Sequence, residues 1–199
     1  MSDEAMNPQR RRLLMLTTGL GVVGAAFAAT PFVKSMLPSA RARAAGAPVE
    51  VDISRLEPGQ LLTVEWRGKP VWILRRTPEM LQTLSAVEPM LADPKSAVAD
   101  QQPKYAQNPT RSIKPEILVL VGLCTHLGCS PDKRLEPGAA SGLGADWPGG
   151  FFCPCHGSKF DLAGRVYRNV PAPTNMVVPP HAYISDTRIL IGEDQKETA

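Results

Sequence analysis

Cysteine and histidine are scarce in this chain, four and three among 199 residues, and aromatic residues make up only 6%. Four cysteines are too few for a small fold held together by a dense disulfide framework. With 16 glycines, 20 prolines and 43% hydrophobic residues, the composition fits neither collagen nor a disordered chain, and the prolines argue against a purely helical bundle. Long runs of positive charge are also missing. Beyond residue 48 no Lys/Arg run exceeds two, and sixteen basic residues there face seventeen acidic ones. That leaves no broad cationic face for a phosphate backbone, so nucleic acid is not an expected partner. The net charge of +3 is a property of residues 1–48, where six Lys/Arg face two Asp/Glu. The few cysteines are not scattered, because all four fall between 124 and 155.

The longest charge-free stretch runs from Leu13 to Val33, between Arg10-Arg11-Arg12 and Lys34. As a helix rising about 1.5 Å per residue it spans roughly 30 Å, one hydrocarbon core. A soluble core helix rarely stays uncharged for six turns, and the Gly/Ala-rich part from Gly19 to Ala29 suits close packing in lipid. A cleavable signal has a shorter apolar region, about 7 to 15 residues, followed by a small-residue site. Ala40, Ala42, Ala44 and Ala45 supply such sites downstream. The expectation is a retained single-pass anchor over 13–33, preceded by a cytoplasmic tail, 1–12. Basic residues flank both ends, so charge bias alone does not orient it. Arg10-Arg11-Arg12-Leu13-Leu14 resembles a twin-arginine export signal, the route for proteins folded before translocation. Residues 34–48 mix Pro, Gly, Ala and Arg, and Pro38 and Pro48 argue against one continuous helix, so the segment is expected to be a flexible tether.

From 49 onward short β-prone runs alternate with turn signals, at 49–53, 61–66 and 71–74, with Arg67-Gly68-Lys69-Pro70 as a hairpin connection. Thr77-Pro78 predicts a helix cap, followed by a short apolar face at Met80, Leu81, Leu84 and Val87. Residues 92–115 read as a long loop. Ile117–Val121 reads as a buried strand, and runs at 165–167, 176–178, 181–184 and 188–191 complete an all-β pattern. About 150 residues bury a sizeable core without help from a metal.

The chemistry concentrates in Cys124-Thr125-His126-Leu127-Gly128-Cys129 and Cys153-Pro154-Cys155-His156-Gly157-Ser158. Each loop offers a Cys and a His, so two converging loops present thiolates and imidazoles together. A Cys2His2 zinc site is the obvious rival. Finger-type spacing pairs two Cys and then two His, whereas here each loop carries a mixed pair and a surplus cysteine.

The two motifs, C-x-H-x-G-C and C-x-C-H-G-S, resemble the Rieske iron-sulfur proteins, specifically the disulfide-bearing, proteobacterial type of respiratory cytochrome bc-type complexes. The likeness extends to the twin-arginine anchor, the tether, Lys114-Pro115-Glu116 and Asn169-Val170-Pro171-Ala172-Pro173. It implies a Rieske domain over 49–199 holding one [2Fe-2S] cluster, with Cys124 and Cys153 on one iron and His126 and His156 on the other. Cys129 and Cys155 would form a disulfide, which places the domain in an oxidising, periplasmic space, with the N-terminus on the cytoplasmic side of the bacterial inner membrane. The implied function is the electron-transfer subunit of a respiratory ubiquinol-cytochrome c reductase, a redox subunit and not a complete enzyme alone. It would take an electron, coupled to a proton on His126 or His156, from quinol at cytochrome b. It would pass the electron to a cytochrome c-type haem by swinging on the tether, within a dimeric complex. The resemblance favours His156 as the residue facing quinol. A second reading is the Rieske subunit of a periplasmic molybdenum oxidase such as the arsenite-oxidising type.

Neutral imidazoles in place of two thiolates remove negative charge and raise the potential of such a centre. Ser158 is expected to donate its hydroxyl to a cluster sulfur, Leu127 to form an apolar docking tip, and Pro171-Ala172-Pro173 to cover the cluster as a third loop. Gly128 and Gly157 would give close approach, His181 would be structural, and Trp147 would anchor the Gly/Pro-rich excursion of 130–150. Phe160 departs from the tyrosine usual in mitochondrial-type relatives, and a phenyl ring has no hydroxyl to donate to a ligand sulfur. Phe160→Tyr is therefore expected to raise the reduction potential measured by voltammetry, and an unchanged or lowered potential rejects that placement of the ring.

Overall fold

The computed structural model describes residues 7–39 and 46–194, in two compact units, 1–44 and 45–199. The first unit is one helix, α1 (Pro8–Ser35). Asn7 caps it by accepting the Gln9 N–H at 3.0 Å, and Pro8 fills the first turn, where no backbone donor is needed. The hydroxyls of Thr17 and Thr30 bond back to the carbonyls of Leu13 and Ala26, so these polar groups need no outside partner. The helix is long and apolar enough to cross a membrane. It takes in Pro8–Arg12 as well as 13–33, because the cap lies at Asn7 and the arginines belong to the first turns. The expected small-residue sites at Ala40, Ala42, Ala44 and Ala45, which are residues of the expected tether 34–48, lie outside the described residues, and Lys34 and Ser35 of that tether belong to α1.

The second unit is β-rich. Its strands are β1 (Val49–Asp52), β2 (Leu61–Trp66), β3 (Lys69–Arg75), β4 (Ile117–Val121), β5 (Asp132–Arg134), β6 (Gly150–Phe152), β7 (Lys159–Phe160), β8 (His181–Ser185) and β9 (Arg188–Ile191). They form three antiparallel three-stranded sheets, ordered β1-β9-β8, β2-β3-β4 and β5-β6-β7. The unit is β-rich and not strictly all-β, since the expected helix, α2 (Pro78–Ala86), and several 3-10 turns interrupt the strands. Thr77 caps α2 by accepting the Met80 N–H.

The middle sheet separates two cores. Val71 and Ile73 of β3, with Val119 of β4, pack on Val51, Ile189 and Ile191. On the opposite face Trp72, Leu74, Leu118 and Leu120 pack with Phe151, Phe160, Cys124 and Cys153. Successive strand residues face opposite sides, so burial on both faces is why Ile117–Val121 reads as an unbroken apolar run.

Two expected strands do not form. Residues 165–167 make only the isolated bridges Phe160↔Val166 and Leu91↔Tyr167, and 176–178 join no sheet. Their backbone groups are satisfied by loops instead. The Val166 N–H goes to Asn175 Oδ1 at 2.9 Å, Met176 N–H to the Gly164 carbonyl at 2.8 Å and Val178 N–H to the Gln101 carbonyl at 2.8 Å. The long loop of 92–115 contains 3-10 turns at Ala99–Gln101 and Lys104–Ala106. It is pinned by buried Arg111, whose guanidinium donates to the carbonyls of Ala163 and Gln101 and to Gln102 Oε1.

His181 sits in β8, 1% exposed, with Nδ1 2.8 Å from the Pro179 carbonyl and its ring edge-on to Tyr105. Burial pulls its pKa below the ordinary histidine value, against weaker upward pulls from the Pro179 carbonyl and the Asp194 carboxylate. The unfolded chain therefore binds this proton more readily than the folded one. The stability from the neutral ring is complete above the ordinary value of about 6.5 and is lost as pH falls below it. Urea midpoints measured at pH 7.5 and pH 5 are expected to fall more in the parent chain than in His181→Gln. Equal losses would show that this ring carries no such linkage.

Candidate metal centre

The first cysteine loop leaves the end of β4, and the second joins β6 to β7. Both close with the same backbone pairing. In the first, the Cys124 N–H donates to the Cys129 carbonyl at 2.7 Å and the Gly128 N–H to the Cys124 carbonyl at 3.0 Å. In the second, the Cys153 N–H donates to the Ser158 carbonyl at 2.8 Å and the Gly157 N–H to the Cys153 carbonyl at 2.9 Å. Gly128 and Gly157 stand at the matching position with φ of +79° and +76°, left-handed values that favour glycine. The two motifs, unequal in where they place histidine, thus fold as two copies of one closed knuckle.

Cys129 and Cys155 are joined by a disulfide across 26 residues of sequence. Cys124 and Cys153 are free and buried, 3% and 1% exposed. The rings of His126 and His156 meet edge to face with centroids 4.7 Å apart. The sulfurs of Cys129, Cys153 and Cys155 lie within 4.8 Å of one another, but the two bonded ones are not thiolates and offer no metal ligand. What remains is two thiols and two imidazoles. Burial pushes the Cys124 thiol pKa up. The His126 backbone N–H counters this by hydrogen bonding to the sulfur, the neighbouring Cys153 raises the pKa further, and the Ser158 hydroxyl lowers it. The Nδ1 of His126 is buried with no hydrogen-bond partner within the chain. A buried imidazole nitrogen without a partner, in the same knuckle as a sulfur that already receives hydrogen bonds, fits a metal centre.

The segment 171–174 braces both knuckles. Buried Ala172 donates its N–H to Ser158 Oγ at 3.0 Å, and Thr125 Oγ1 donates to the Thr174 carbonyl at 2.7 Å. Ser158 is therefore a relay, accepting from Ala172 while facing the Cys124 sulfur. Leu127 is 73% exposed at the tip of the first knuckle, and His156 is exposed on the second. Phe160 is fully buried in the core that holds both free cysteines. Trp147 is buried, donates Nε1–H to the Arg134 carbonyl at 2.8 Å and stacks on Tyr167, so it fastens the 130–150 excursion. His181 belongs to β8 and is not brought to the histidine pair. Thr125 and the Ala172 amide escaped the sequence reading. A threonine between Cys and His is a weak signal, and a backbone N–H gives none.

Residues 48–181 match the family model of the Rieske [2Fe-2S] domain. Residues 1–39 match that of the ubiquinol-cytochrome c reductase Fe-S subunit TAT signal. The ubiquinol-cytochrome c reductase iron-sulfur subunit of Allochromatium vinosum is 64% identical over 196 residues, covering 98% of this chain and 94% of the relative. The chain belongs to the Rieske iron-sulfur subunits of ubiquinol-cytochrome c reductase. Its counterpart from Blastochloris viridis is 42% identical, with 96% of each chain covered. Among solved structures, a chain of the Hyperthermophilic respiratory Complex III is 27% identical, covering 88% of this chain and 97% of that one, with a TM-score of 0.48. The donor set alone does not separate iron from zinc, since both metals accept two sulfurs and two imidazoles. The chain is a Rieske electron-transfer subunit of a quinol-cytochrome c reductase-type complex. Its N-terminal apolar helix and its match to an export-signal family are features of membrane association.

The Ser158 hydrogen bond to sulfur favours the more negative, reduced state of such a centre. Ser158→Ala is expected to lower the reduction potential in protein-film voltammetry while leaving the buried Ala172 N–H without its acceptor. A potential equal to that of the parent chain would show that the hydroxyl does not reach the electronic structure.

Proposed function

We propose that Cys124 and Cys153 hold one iron, and His126 and His156 the other, of a single [2Fe-2S] cluster. The observation that carries this reading is that each knuckle carries one buried free thiol and one imidazole, the two thiols neighbouring each other and the two rings in contact, while the remaining cysteines are consumed in a disulfide. Bound there, the cluster supplies one-electron chemistry at a potential raised by its two neutral ligands.

The chain's own residues set the rest. The His126 amide and the Ser158 hydroxyl stabilise charge on the Cys124 sulfur. Cys129–Cys155 locks the knuckles together, and the Thr125 and Ala172 bonds hold the 171–174 loop against them. His156, exposed, presents its ring to an approaching quinol and takes up the proton at the nitrogen not used for iron, with His126 beside it. Exposed Leu127 supplies an apolar contact that excludes water from that encounter.

In the assembled enzyme, 1–12 is the cytoplasmic tail, 13–33 the single membrane anchor, 34–48 the tether and 49–199 the periplasmic domain, in the bacterial inner membrane. The partners are cytochrome b, with quinol at the shared surface, and a cytochrome c-type haem subunit, within a dimeric complex. The subunit turns over only as part of that oxidoreductase. The 64% identity with a ubiquinol-cytochrome c reductase subunit over nearly the full length of both chains supports these assignments.

Purification from detergent-solubilised membranes is expected to bring down haem b and haem c partners. The dithionite-reduced sample is expected to show the electron paramagnetic resonance spectrum of a mixed-ligand [2Fe-2S] centre. Molybdenum in place of haem b would move the subunit to another oxidoreductase, and a spectrum of an all-sulfur cluster would overturn the ligand assignment.

A further inference from the structure

We infer that Trp72 is the positioning residue that sets the spacing of the two cysteine knuckles, by filling a notch that Gly122 leaves for it. The inference deepens the proposed ligation and rests on it. Trp72 lies in β3, outside both motifs, and its indole is 2% exposed. One side of the ring meets Gly122, two residues before Cys124. A methyl built on Gly122 would collide with Trp72 Cε2, lie 2.6 Å from Nε1 and lie 2.8 Å from Cδ2. Gly122 carries no left-handed φ, so backbone freedom does not explain the glycine; the close approach of the indole does. The same ring stacks on Phe151, two residues before Cys153, with centroids 5.1 Å apart and planes 29° apart. One rigid side chain therefore stands against the equivalent position at the base of each knuckle.

The surroundings leave the ring no other resting place. Leu120 pairs opposite Trp72 in the sheet, Phe160 pairs opposite Phe151, and both share the core with Cys124 and Cys153. The Lys133 ammonium lies 5.4 Å from the indole centroid and donates to Thr63 Oγ1, closing the remaining side. Backbone pairing alone holds the base of each knuckle to its own neighbours, not to the other knuckle. The Gly122 N–H is held by the Pro70 carbonyl at 2.8 Å, and β6 is only three residues long. The disulfide ties the knuckles at their exposed ends, whereas Trp72 spaces them from beneath. A change in the ring's volume is therefore transmitted to the separation of the donor atoms, because a packed interior has few voids to absorb it.

The test uses the full, cluster-loaded chain in detergent, with the reduction potential, the g-values of the reduced centre and the melting temperature as readouts. Trp72→Val and Gly122→Ala are each expected to shift the g-values. Each should also change the oxidised-to-reduced ratio at a fixed poise by about threefold or more. In the Trp72→Val background Gly122→Ala is expected to add nothing further, since the atoms it would strike are gone; this non-additivity is the signature of direct contact. Should Gly122→Ala alone fail to retain iron, recovery of a loaded centre in the double variant is the expected result. Trp72→Phe keeps an aromatic ring on Phe151 and is expected to give a smaller shift, which decides the matter if Trp72→Val loads no iron. Ile73→Val is the control, because Ile73 is the neighbouring, fully buried residue on the other face of β3. It should lower the melting temperature and leave the potential and g-values in place. Loaded Trp72 variants with the parent potential and g-values, or shifts matched by Ile73→Val, would overturn the inference. A parent chain without a mixed-ligand spectrum would instead overturn the ligation on which it rests.

Discussion

Two thiols and two imidazoles contributed by segments some thirty residues apart function together only if the two segments keep one fixed distance, and this constraint organises the cluster end of the domain. Each knuckle closes on itself through two backbone hydrogen bonds, which makes it rigid but says nothing about where it stands relative to the other. The relation between them comes from three sources of different kind. A covalent bond joins Cys129 to Cys155 at the exposed side. Two hydrogen bonds to the 171–174 segment, from Thr125 and to Ser158, bridge across. Aromatic packing of Trp72 supports both from below. Crosslink, hydrogen bond and packing fail under different conditions, so no single perturbation releases the site.

The same packing explains why the middle sheet is so hydrophobic. A sheet with one solvated face alternates polar and apolar residues, but β3 and β4 support a core on either side and have no solvated face over most of their length. The cluster-side core includes the free cysteines themselves, so the two candidate sulfur donors are part of the hydrophobic interior and not attached to its surface. Desolvating a thiol raises its pKa and disfavours the thiolate that a metal requires. The His126 amide and the Ser158 hydroxyl oppose this by donating to the Cys124 sulfur. Under the proposed ligation their hydrogen bonds are thus needed twice, once to make the buried sulfur acceptable as a ligand and once to tune the bound centre.

Much of this was legible in the residues, and the parts that were not share a cause. The turn glycines, the strand ends at 61–66 and the Thr77-Pro78 cap each encode a local preference, and each stands where the sequence places it. The paired motifs announced a metal site because Cys and His are rare elsewhere in the chain. The strands of two or three residues, β5 to β7, are too short to show a period, and 165–167 looks like a strand although its backbone bonds go to side chains and turns. Trp72 in the run of 71–74 is indistinguishable from any other core aromatic until the notch at Gly122, fifty residues away, is placed beside it. Local chemistry shows in a window of sequence, whereas a contact between distant segments shows only in the fold.

Burial across the site has a direction, and the direction bears on how electrons pass. Cys124 and Cys153 are 3% and 1% exposed, whereas His156 is exposed and Leu127 is 73% exposed. Under the proposed ligation the sulfur-bound iron faces the core and the imidazole-bound iron faces outward. A donor or acceptor then reaches the centre across one imidazole ring instead of through the domain, and both must use the same face. Under the proposed function that single face would be presented to the two partners in turn. Within the cluster end the disulfide, the braced 171–174 loop and the wedged indole all act to keep the donor atoms still, so under the proposed function any such exchange of partners has to come from elsewhere than the knuckles.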